Sequence, residues 1–491
     1  MSVRRAGVLL HPTSLPGPFG IGEIGSRAFP FLDWMEAAGQ TLWQMLPLGP
    51  VDDSGSPYAS PSACARNPLL IGLEDLVDDG LLSWSELPHP FGDRDRVHYP
   101  LARQQRMPAL LLAASRVPQE ELVSYASVHP WATTWSTFAA IAEQHGSNWT
   151  EWPEALRNRT DLSDFLGSKS YYQQMALQFL FDRQWARLRL EAKKRGISLI
   201  GDIPFFVSLE GADAWSAPEL FRLDPQGRPI VVSGVPPDAF SADGQLWGHP
   251  LYDEDAHRNQ RYAWWIERVR ANLELVDAIR LDHFRGVAAY WEVEATAEHA
   301  RNGHWIPGPG QPLLDALQAA LGSLPFIAED LGVITPDVEA LRDQNALPGM
   351  AILQFGFGNP RRTTNSHLPH NHRSHQVVYP GTHDNPTVWG WYTEADEQTQ
   401  DHVRRYLLVG GHDIAGDLTR AAYRSVADTA IVAMQDLLSL GPAARMNVPG
   451  ETEGNWAWRF HADHLRPEIA ARWADQARLT GRAPYPARAG I

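Results

Sequence analysis

The sequence contains a single cysteine, Cys64, among 491 residues. One cysteine cannot form an intrachain disulfide, and chains without disulfides are typical of reducing compartments. We interpret Cys64 as a small buried hydrophobe. Long apolar runs are also missing: none approaches the ~18 residues of a membrane span, and the run at residues 7–10 is shorter than the roughly 7–15 apolar residues of a secretory signal. We therefore expect a cytoplasmic protein without a membrane partner.

Positive charge is scarce as well. The chain has 42 lysines and arginines against 58 aspartates and glutamates, which gives a formal net charge of −16 at pH 7. This charge disfavours a polyanionic partner such as nucleic acid, whereas a neutral polymer is indifferent to it. With 44% hydrophobic and 20% charged residues, the composition is that of a globular protein with an ample core. Nothing in it indicates a particular oligomeric state.

The stretch at residues 276–286 combines an apolar run with a charged cluster. This is the pattern of a buried strand that emerges into a polar site. In a strand, Arg280 and Asp282 point to the same face because they are two residues apart. A neighbouring guanidinium keeps a carboxylate ionised, as a nucleophile or a cation stabiliser must be. An ordinary ion pair at a strand end explains this one stretch equally well.

Two further stretches repeat the design. Residues 324–332 end in a carboxylate pair that includes Glu329, and residues 377–385 end in His383 and Asp384. In a parallel α/β barrel every strand ends on one face, so acids that are distant in sequence converge there. Converging carboxylates suit glycosidic chemistry, in which one acid attacks the anomeric carbon and a second exchanges a proton with the bridging oxygen.

Apolar strand-like runs alternate with helical patterns along the chain, including helices at 27–38 and 170–195. This alternation predicts an α/β fold, a (β/α)₈ TIM barrel, as one catalytic unit over residues 1–491. The predicted barrel strands are 6–10, 41–46, 197–204, 276–282, 326–329, 351–354, 377–382 and 444–447. Within the unit we expect two insertions, a mainly helical subdomain at 51–168 and a loop region at 206–250.

The loop region contains a proline- and glycine-rich segment at 234–248, which we expect to lack regular structure. Phe240 and Trp247 are large apolar groups in this segment. Long loops of this kind are functional or disordered, and aromatic residues argue against disorder.

Two other patterns do not predict a phosphate or metal site. The glycines at 17–22 match neither phosphate-binding motif, and prolines interrupt them. The histidines between 367 and 375 have no acid or cysteine interleaved, so we predict neither a metal nor a cofactor.

Taken together in this order, the motifs from His11 to Phe460 resemble the 4-α-glucanotransferases known as amylomaltases or disproportionating enzymes, a branch of the α-amylase group. The resemblance implies transfer of α-1,4-glucan segments to the 4-hydroxyl of another glucan, by a retaining double displacement. It implies Asp282 as nucleophile, Glu329 as acid/base and Asp384 as transition-state stabiliser, with glucans and maltooligosaccharides as partners and no cofactor.

The resemblance also implies sugar contacts. Tyr58 would stack at the cleavage point, Asp202 would support the nucleophile region, segment 234–248 would form a lid, and Asn455 would line the donor cleft. The candidate substrate-binding residues are Tyr58, Asp202, Asp238, Phe240, Trp247, Arg280, His383 and Asn455.

This sequence also differs from the resembled family in several places. Ala63-Cys64-Ala65-Arg66 stands where the family usually has a Phe and a Gly, and Glu254 replaces a common Trp, which we read as a surface change. No β-sandwich domain is expected after the barrel.

Two alternatives remain open at this point. One is a retaining α-1,4-glucan hydrolase that uses the same residues, which the aromatic lid and the missing β-sandwich disfavour by analogy. The other is a catalytically silent glucan-binding protein, and the presence of all three acids argues against it.

Overall fold

The structure, a computed structural model, describes residues 3–237 and 243–484. These ranges contain twelve strands, which are β1 (Arg5–Leu9), β2 (Leu42–Gln44), β3 (Ser198–Ile203), β4 (Val231–Val235), β5 (Gln245–Pro250), β6 (Ala278–Leu281), β7 (Ala289–Glu294), β8 (His304–Pro307), β9 (Phe326–Ala328), β10 (Gly349–Ile352), β11 (Gln376–Tyr379) and β12 (Thr429–Ala433). Asp238 and Phe240 lie outside the described residues.

The same ranges contain eighteen α-helices besides short 3-10 turns. In chain order they are α1 (Phe29–Ala37), α2 (Leu73–Asp78), α3 (Tyr99–Ala114), α4 (Gln119–Val128), α5 (Pro130–His145), α6 (Glu154–Arg157), α7 (Lys169–Lys194), α8 (Ala212–Ser216), α9 (Glu254–Asn259), α10 (Ala263–Leu273), α11 (Arg285–Ala288), α12 (Gly310–Leu321), α13 (Pro336–Gln344), α14 (Val388–Glu394), α15 (Glu397–Leu407), α16 (Ile414–Arg424), α17 (Met434–Leu437) and α18 (Pro467–Leu479). None of these helices is long and apolar enough to cross a lipid bilayer.

Eight parallel strands form a (β/α)₈ TIM barrel. They follow one another in chain order, β1, β2, β3, β6, β9, β10, β11 and β12, and β12 pairs with β1. Between β9 and β10 the backbone N–H of Ala328 donates to the carbonyl of Pro348 at 2.9 Å, which completes the ring. The strands are short apolar runs because parallel strands of a barrel are buried on both faces.

The predicted eighth strand at 444–447 is wrong. The eighth barrel strand is β12, a buried run that contains Ile431 and Val432, whereas Ala444 ends a short 3-10 turn. Residues 444–447 follow this strand as a loop, in which the polar side chains of Arg445 and Asn447 bond to the loop after β11 instead of packing into the barrel wall.

The expectation that segment 234–248 lacks regular structure is also wrong at both ends. Strands β4 and β5 pair as antiparallel neighbours, and β7 and β8 extend them into a four-stranded sheet in the order β5-β4-β7-β8. The glycines serve this pairing. A Cβ on Gly234 would lie 2.6 Å from the carbonyl of Gln245, and Gly248 has a φ of +77°, a conformation that glycine adopts without strain.

The departure at 63–66 has a clear structural basis. Cys64 is buried, and burial raises the pKa of its thiol. The Arg66 side chain is buried as well and lies 3.1 Å from Asp182 of α7, with its guanidinium 4.6 Å from the ring of Trp131 of α5. Arg66 thus ties this loop to α5 and α7. The assignment of 51–168 as a separate subdomain stays a prediction.

Candidate active site

Arg280 holds two carboxylates at the ends of adjacent barrel strands. It is paired with Asp202 in the β3–β6 register, and its two terminal nitrogens lie 2.7 Å from Asp202 and 2.7 Å from Asp282. Burial alone would lower the pKa of Arg280, but the two carboxylates raise that pKa well above its usual value, so the guanidinium stays charged. Asp282 is the most exposed member of the Asp202–Arg280–Asp282 triad, with 29% of its side chain exposed.

Tyr58 links this triad to the end of β11. Its hydroxyl donates to Asp202 at 2.8 Å and lies 2.9 Å from Nε2 of His383. Burial raises the pKa of Asp202 to about 7, with Arg280 opposing the shift. Burial lowers the pKa of His383, although the neighbouring Asp384 acts in the opposite direction. His383 is therefore neutral at pH 7.

Asp384 is held by a loop that follows α17. The side-chain amide of Asn447 donates to Oδ1 of Asp384 at 2.6 Å, and Arg445 donates to the Asp384 backbone carbonyl at 2.8 Å. The backbone N–H of Asn447 donates to the carbonyl of His383 at 3.1 Å. The residues that were mistaken for a strand therefore orient the third acid.

Glu329 reaches the turn that directly follows Asp282. Its carboxylate accepts from the backbone N–H of His283 at 2.8 Å and of Leu331 at 3.0 Å. These two donors favour the ionised form, but burial, aided by the charge of Asp282, raises the pKa of Glu329 well above its usual value despite the opposing Arg280. The raised pKa favours the protonated form of Glu329, which lies close to Asp282 and its partner Arg280.

Trp247 packs against the same turn. Its ring lies 4.8 Å from the ring of His283 at an interplanar angle of 85°, and 6.4 Å from Phe206. Burial lowers the pKa of His283 to about 4, so this histidine is a neutral ring at pH 7. Strand β5, through Trp247, therefore packs against the side chain of the residue that follows Asp282.

The side-chain amide of Asn455 bonds to the backbone of its own loop and not to the cleft. The amide accepts from Val448 N–H at 2.9 Å and donates to the carbonyl of Glu451 at 2.8 Å. It closes the loop that presents Trp456, whose ring lies 5.6 Å from Tyr58 and 6.0 Å from His383.

Sequence reasoning missed Trp456 and Asn447 as parts of the site. The signal for Trp456 was its place directly after Asn455 in a recognised motif. Asn447 gave no signal beyond a polar residue in an apolar run.

Glu254 differs from the sequence-based reading of a surface change. It accepts from the hydroxyl of Tyr290 in β7 at 3.2 Å, and burial raises its pKa to about 7.

Each of the four histidines between 367 and 375 bonds to a protein group. The partners are Ile352 N–H for His367, the Tyr406 hydroxyl for His370, the Ser425 hydroxyl for His372 and the Ala346 carbonyl for His375. Within residues 3–237 and 243–484 no group of three or more His, Cys, Asp or Glu side chains is arranged to hold a metal. These histidines therefore act as hydrogen-bonding residues of the loop before β11.

Comparisons with known proteins agree with this geometry. The family model described as 4-alpha-glucanotransferase matches residues 10–465. The chloroplastic/amyloplastic 4-alpha-glucanotransferase of Arabidopsis thaliana is 45% identical over 98% of this chain and 86% of its own length. The 4-alpha-glucanotransferase of Thermus thermophilus is 42% identical over 98% of this chain and 99% of its own length. An amylomaltase from Streptococcus agalactiae, solved in complex with acarbose, has a TM-score of 0.94 at 34% identity, covering 98% of this chain and 100% of that one. The chain belongs to the 4-alpha-glucanotransferase family.

Proposed function

We propose that the protein cleaves an α-1,4 linkage of a glucan and transfers the released segment to the 4-hydroxyl of a second glucan with retained configuration. The observation that carries the proposal is the contrast between two neighbouring carboxyl groups. Asp282 has Arg280 at 2.7 Å, whereas burial raises the pKa of Glu329 well above its usual value. A carboxylate beside a cation and a neighbouring buried acid with a raised pKa are what a nucleophile and an acid/base require.

In the first step Asp282 forms a bond to the anomeric carbon while the bond to the bridging oxygen breaks. The proton of Glu329 passes to that oxygen, and the shortened glucan leaves. In the second step Glu329, now ionised, removes the proton from the 4-hydroxyl of an incoming glucan. The acceptor oxygen then displaces Asp282 from the anomeric carbon, and two inversions give net retention.

The remaining acidic and aromatic residues bind the glucan and stabilise the transition state. Asp384 adds negative charge where the oxocarbenium-like transition state carries positive charge. Tyr58 presents its ring to the sugar at the cleavage point, and neutral His383 bonds a sugar hydroxyl. Trp247 and the β4–β5 strands that carry it cover the acceptor side, while Asn455 shapes the donor cleft through its loop. Asp238 and Phe240, which the sequence assigns to the same lid, lie outside the described residues.

Pure maltotriose tests the reaction. A transferase makes one linkage for each that it breaks, so we expect glucose and a ladder of longer oligosaccharides while the number of reducing ends stays constant. A rise in reducing ends that matches product formation would instead assign the protein as a hydrolase. Binding without any product would assign a silent glucan-binding protein.

The roles of the two acids are tested with Glu329→Gln and an activated glycosyl fluoride. Fluoride needs little acid assistance to leave, and deglycosylation lacks its base, so a glucosyl adduct should accumulate on Asp282. Mass spectrometry of the digested protein locates the adduct. An adduct on another residue would overturn the assignment of the nucleophile, and Asp282→Asn should form none.

We also propose a reducing compartment, the cytoplasm, as the site of action. The support is the single buried Cys64, which leaves the fold independent of disulfides. Fractionation of the source cells with an antibody to the protein would test this assignment, and recovery outside the cytoplasm would contradict it.

A further inference from the structure

Two exposed aromatic side chains lie on the catalytic face of the barrel and have no part in the site described above. Trp389 is 48% exposed and Phe355 is 43% exposed. Phe355 lies in the turn Leu353–Gly356 that follows β10, and Trp389 lies in the first turn of α14, after the loop that carries Asp384. We call Trp389 and Phe355 the rim pair.

The two loops of the rim pair are joined to each other. The side-chain amide of Gln354, next to Phe355, donates to the carbonyl of Pro386 at 3.0 Å. The same amide would lie 2.5 Å from a Cβ built on Gly381, so it fills the space between the ends of β10 and β11. Phe355 and Trp389 are therefore presented by one connected surface.

Trp389 packs against the loop that contains Gly441. Its six-membered ring would lie 3.6 Å from a Cβ on Gly441, and the loop of Gly441 continues to Arg445, which bonds the backbone of Asp384 at 2.8 Å. The start of α14 is fixed as well, since Asp436 accepts from the backbone N–H of Val388 at 2.8 Å. A held ring loses little conformational entropy when it binds a partner.

The chemistry of Trp389 suits a sugar. Its indole N–H donates to no acceptor among the described residues, so the side chain offers an apolar face together with a free hydrogen-bond donor. A pyranose ring has an apolar C–H face and hydroxyl acceptors at its edge. Trp389 lies five positions after Asp384, so their Cα atoms are at most about 18 Å apart.

We propose that the rim pair is an auxiliary binding site for the part of an α-1,4-glucan chain that extends beyond the cleavage site. The argument for this occupant is continuity, because Trp389 rests on the loop that orients Asp384 and follows it in the chain. The inference rests on the proposed function. Long chains reach the rim pair and the cleft together, and short oligosaccharides use the cleft alone.

The test compares kcat/KM for a linear α-1,4-glucan of defined length, on the order of twenty glucose units, with kcat/KM for maltotriose. In Trp389→Ala the ratio of the long to the short substrate should fall about tenfold, the effect of losing one aromatic stacking contact. In Phe355→Ala it should fall less, because a Phe ring offers a smaller stacking face than an indole, and Trp389→Phe should retain most of the ratio because it keeps an aromatic face.

Trp84→Ala is the matched control. Trp84 is 64% exposed but lies in a 3-10 turn between α2 and α3, so this variant should keep the wild-type ratio. An unchanged ratio in Trp389→Ala, or an equal fall for both substrates with a lower Tm, would overturn the inference. The proposed function would fail separately, through a wild-type protein that makes no ladder from maltotriose.

Discussion

The loop that holds Asp384 provides the sharpest test of the site, through Asn447. Its amide is the side-chain donor to Oδ1 of Asp384, at 2.6 Å. A hydrogen bond to a charged acceptor contributes roughly 1.5–3 kcal/mol. Because 41% of the Asp384 side chain is exposed, water recovers part of this energy, and we take the lower half of that range. Asn447→Ala should then lower kcat/KM by about 10- to 45-fold.

Asn447→Asp separates orientation from charge. It has nearly the same shape but places a second carboxylate beside Asp384, and two carboxylates so close cannot both ionise. The pair would hold one proton between them over part of the pH range. Because that proton neutralises negative charge that the transition state needs, the variant should lose activity at a pH where the wild type is still active. The acidic limb of the kcat/KM profile should move to higher pH.

The assay is the pH dependence of transfer from maltotriose in the wild type, Asn447→Ala and Asn447→Asp, with thermal melting of each protein as a control for folding. Loss of packing alone would lower activity and Tm without moving the acidic limb. An acidic limb in Asn447→Asp that coincides with the wild-type limb would refute the electrostatic reasoning. Wild-type kcat/KM in Asn447→Ala would refute the orienting role.

Two further predictions concern the lid and the fold. Trp247→Ala removes the ring that packs 4.8 Å from His283, so water should reach the intermediate. The ratio of hydrolysis to transfer, measured as reducing ends per glucose released, should rise severalfold. An unchanged ratio at unchanged Tm would show that Trp247 does not exclude water. Burial raises the pKa of Asp436 to about 7, so the folded state holds this proton more tightly than the unfolded state and stability falls as the pH rises from about 4 to about 7. Asp436→Asn should therefore gain stability relative to the wild type at pH 8 but not at pH 4, by at most ~4 kcal/mol, and an equal difference in Tm at both pH values would contradict this.

The strands that carry the three acids could be predicted from the sequence because a strand buried on both faces is a short apolar run, and its exit into the cleft is marked by charge. Asp282, Glu329 and Asp384 each stand at such an exit. Strand β12 has the apolar run but no acid directly at its end. The eighth strand was therefore predicted at residues 444–447 instead.

The contacts between these acids could not be predicted from local patterns. Tyr58 bonds Asp202 and His383 across 144 and 325 residues of sequence, and no periodicity encodes a partner at such distances. Glycine was ambiguous for a different reason. In Gly234 the missing side chain allows close strand pairing, whereas the same residue type in a loop allows a turn, and the sequence alone does not distinguish the two uses.

The buried thiol of Cys64 makes the protein a ready background for site-specific labelling. Burial raises the pKa of this thiol, so it presents neither thiolate nor access to a maleimide reagent. A cysteine introduced at Leu246, an exposed position of β5 next to Trp247, would then be the reactive thiol in an otherwise unmodified sequence. A fluorophore attached there would be quenched by Trp247 according to its distance, and time-resolved emission would show whether this distance changes during turnover.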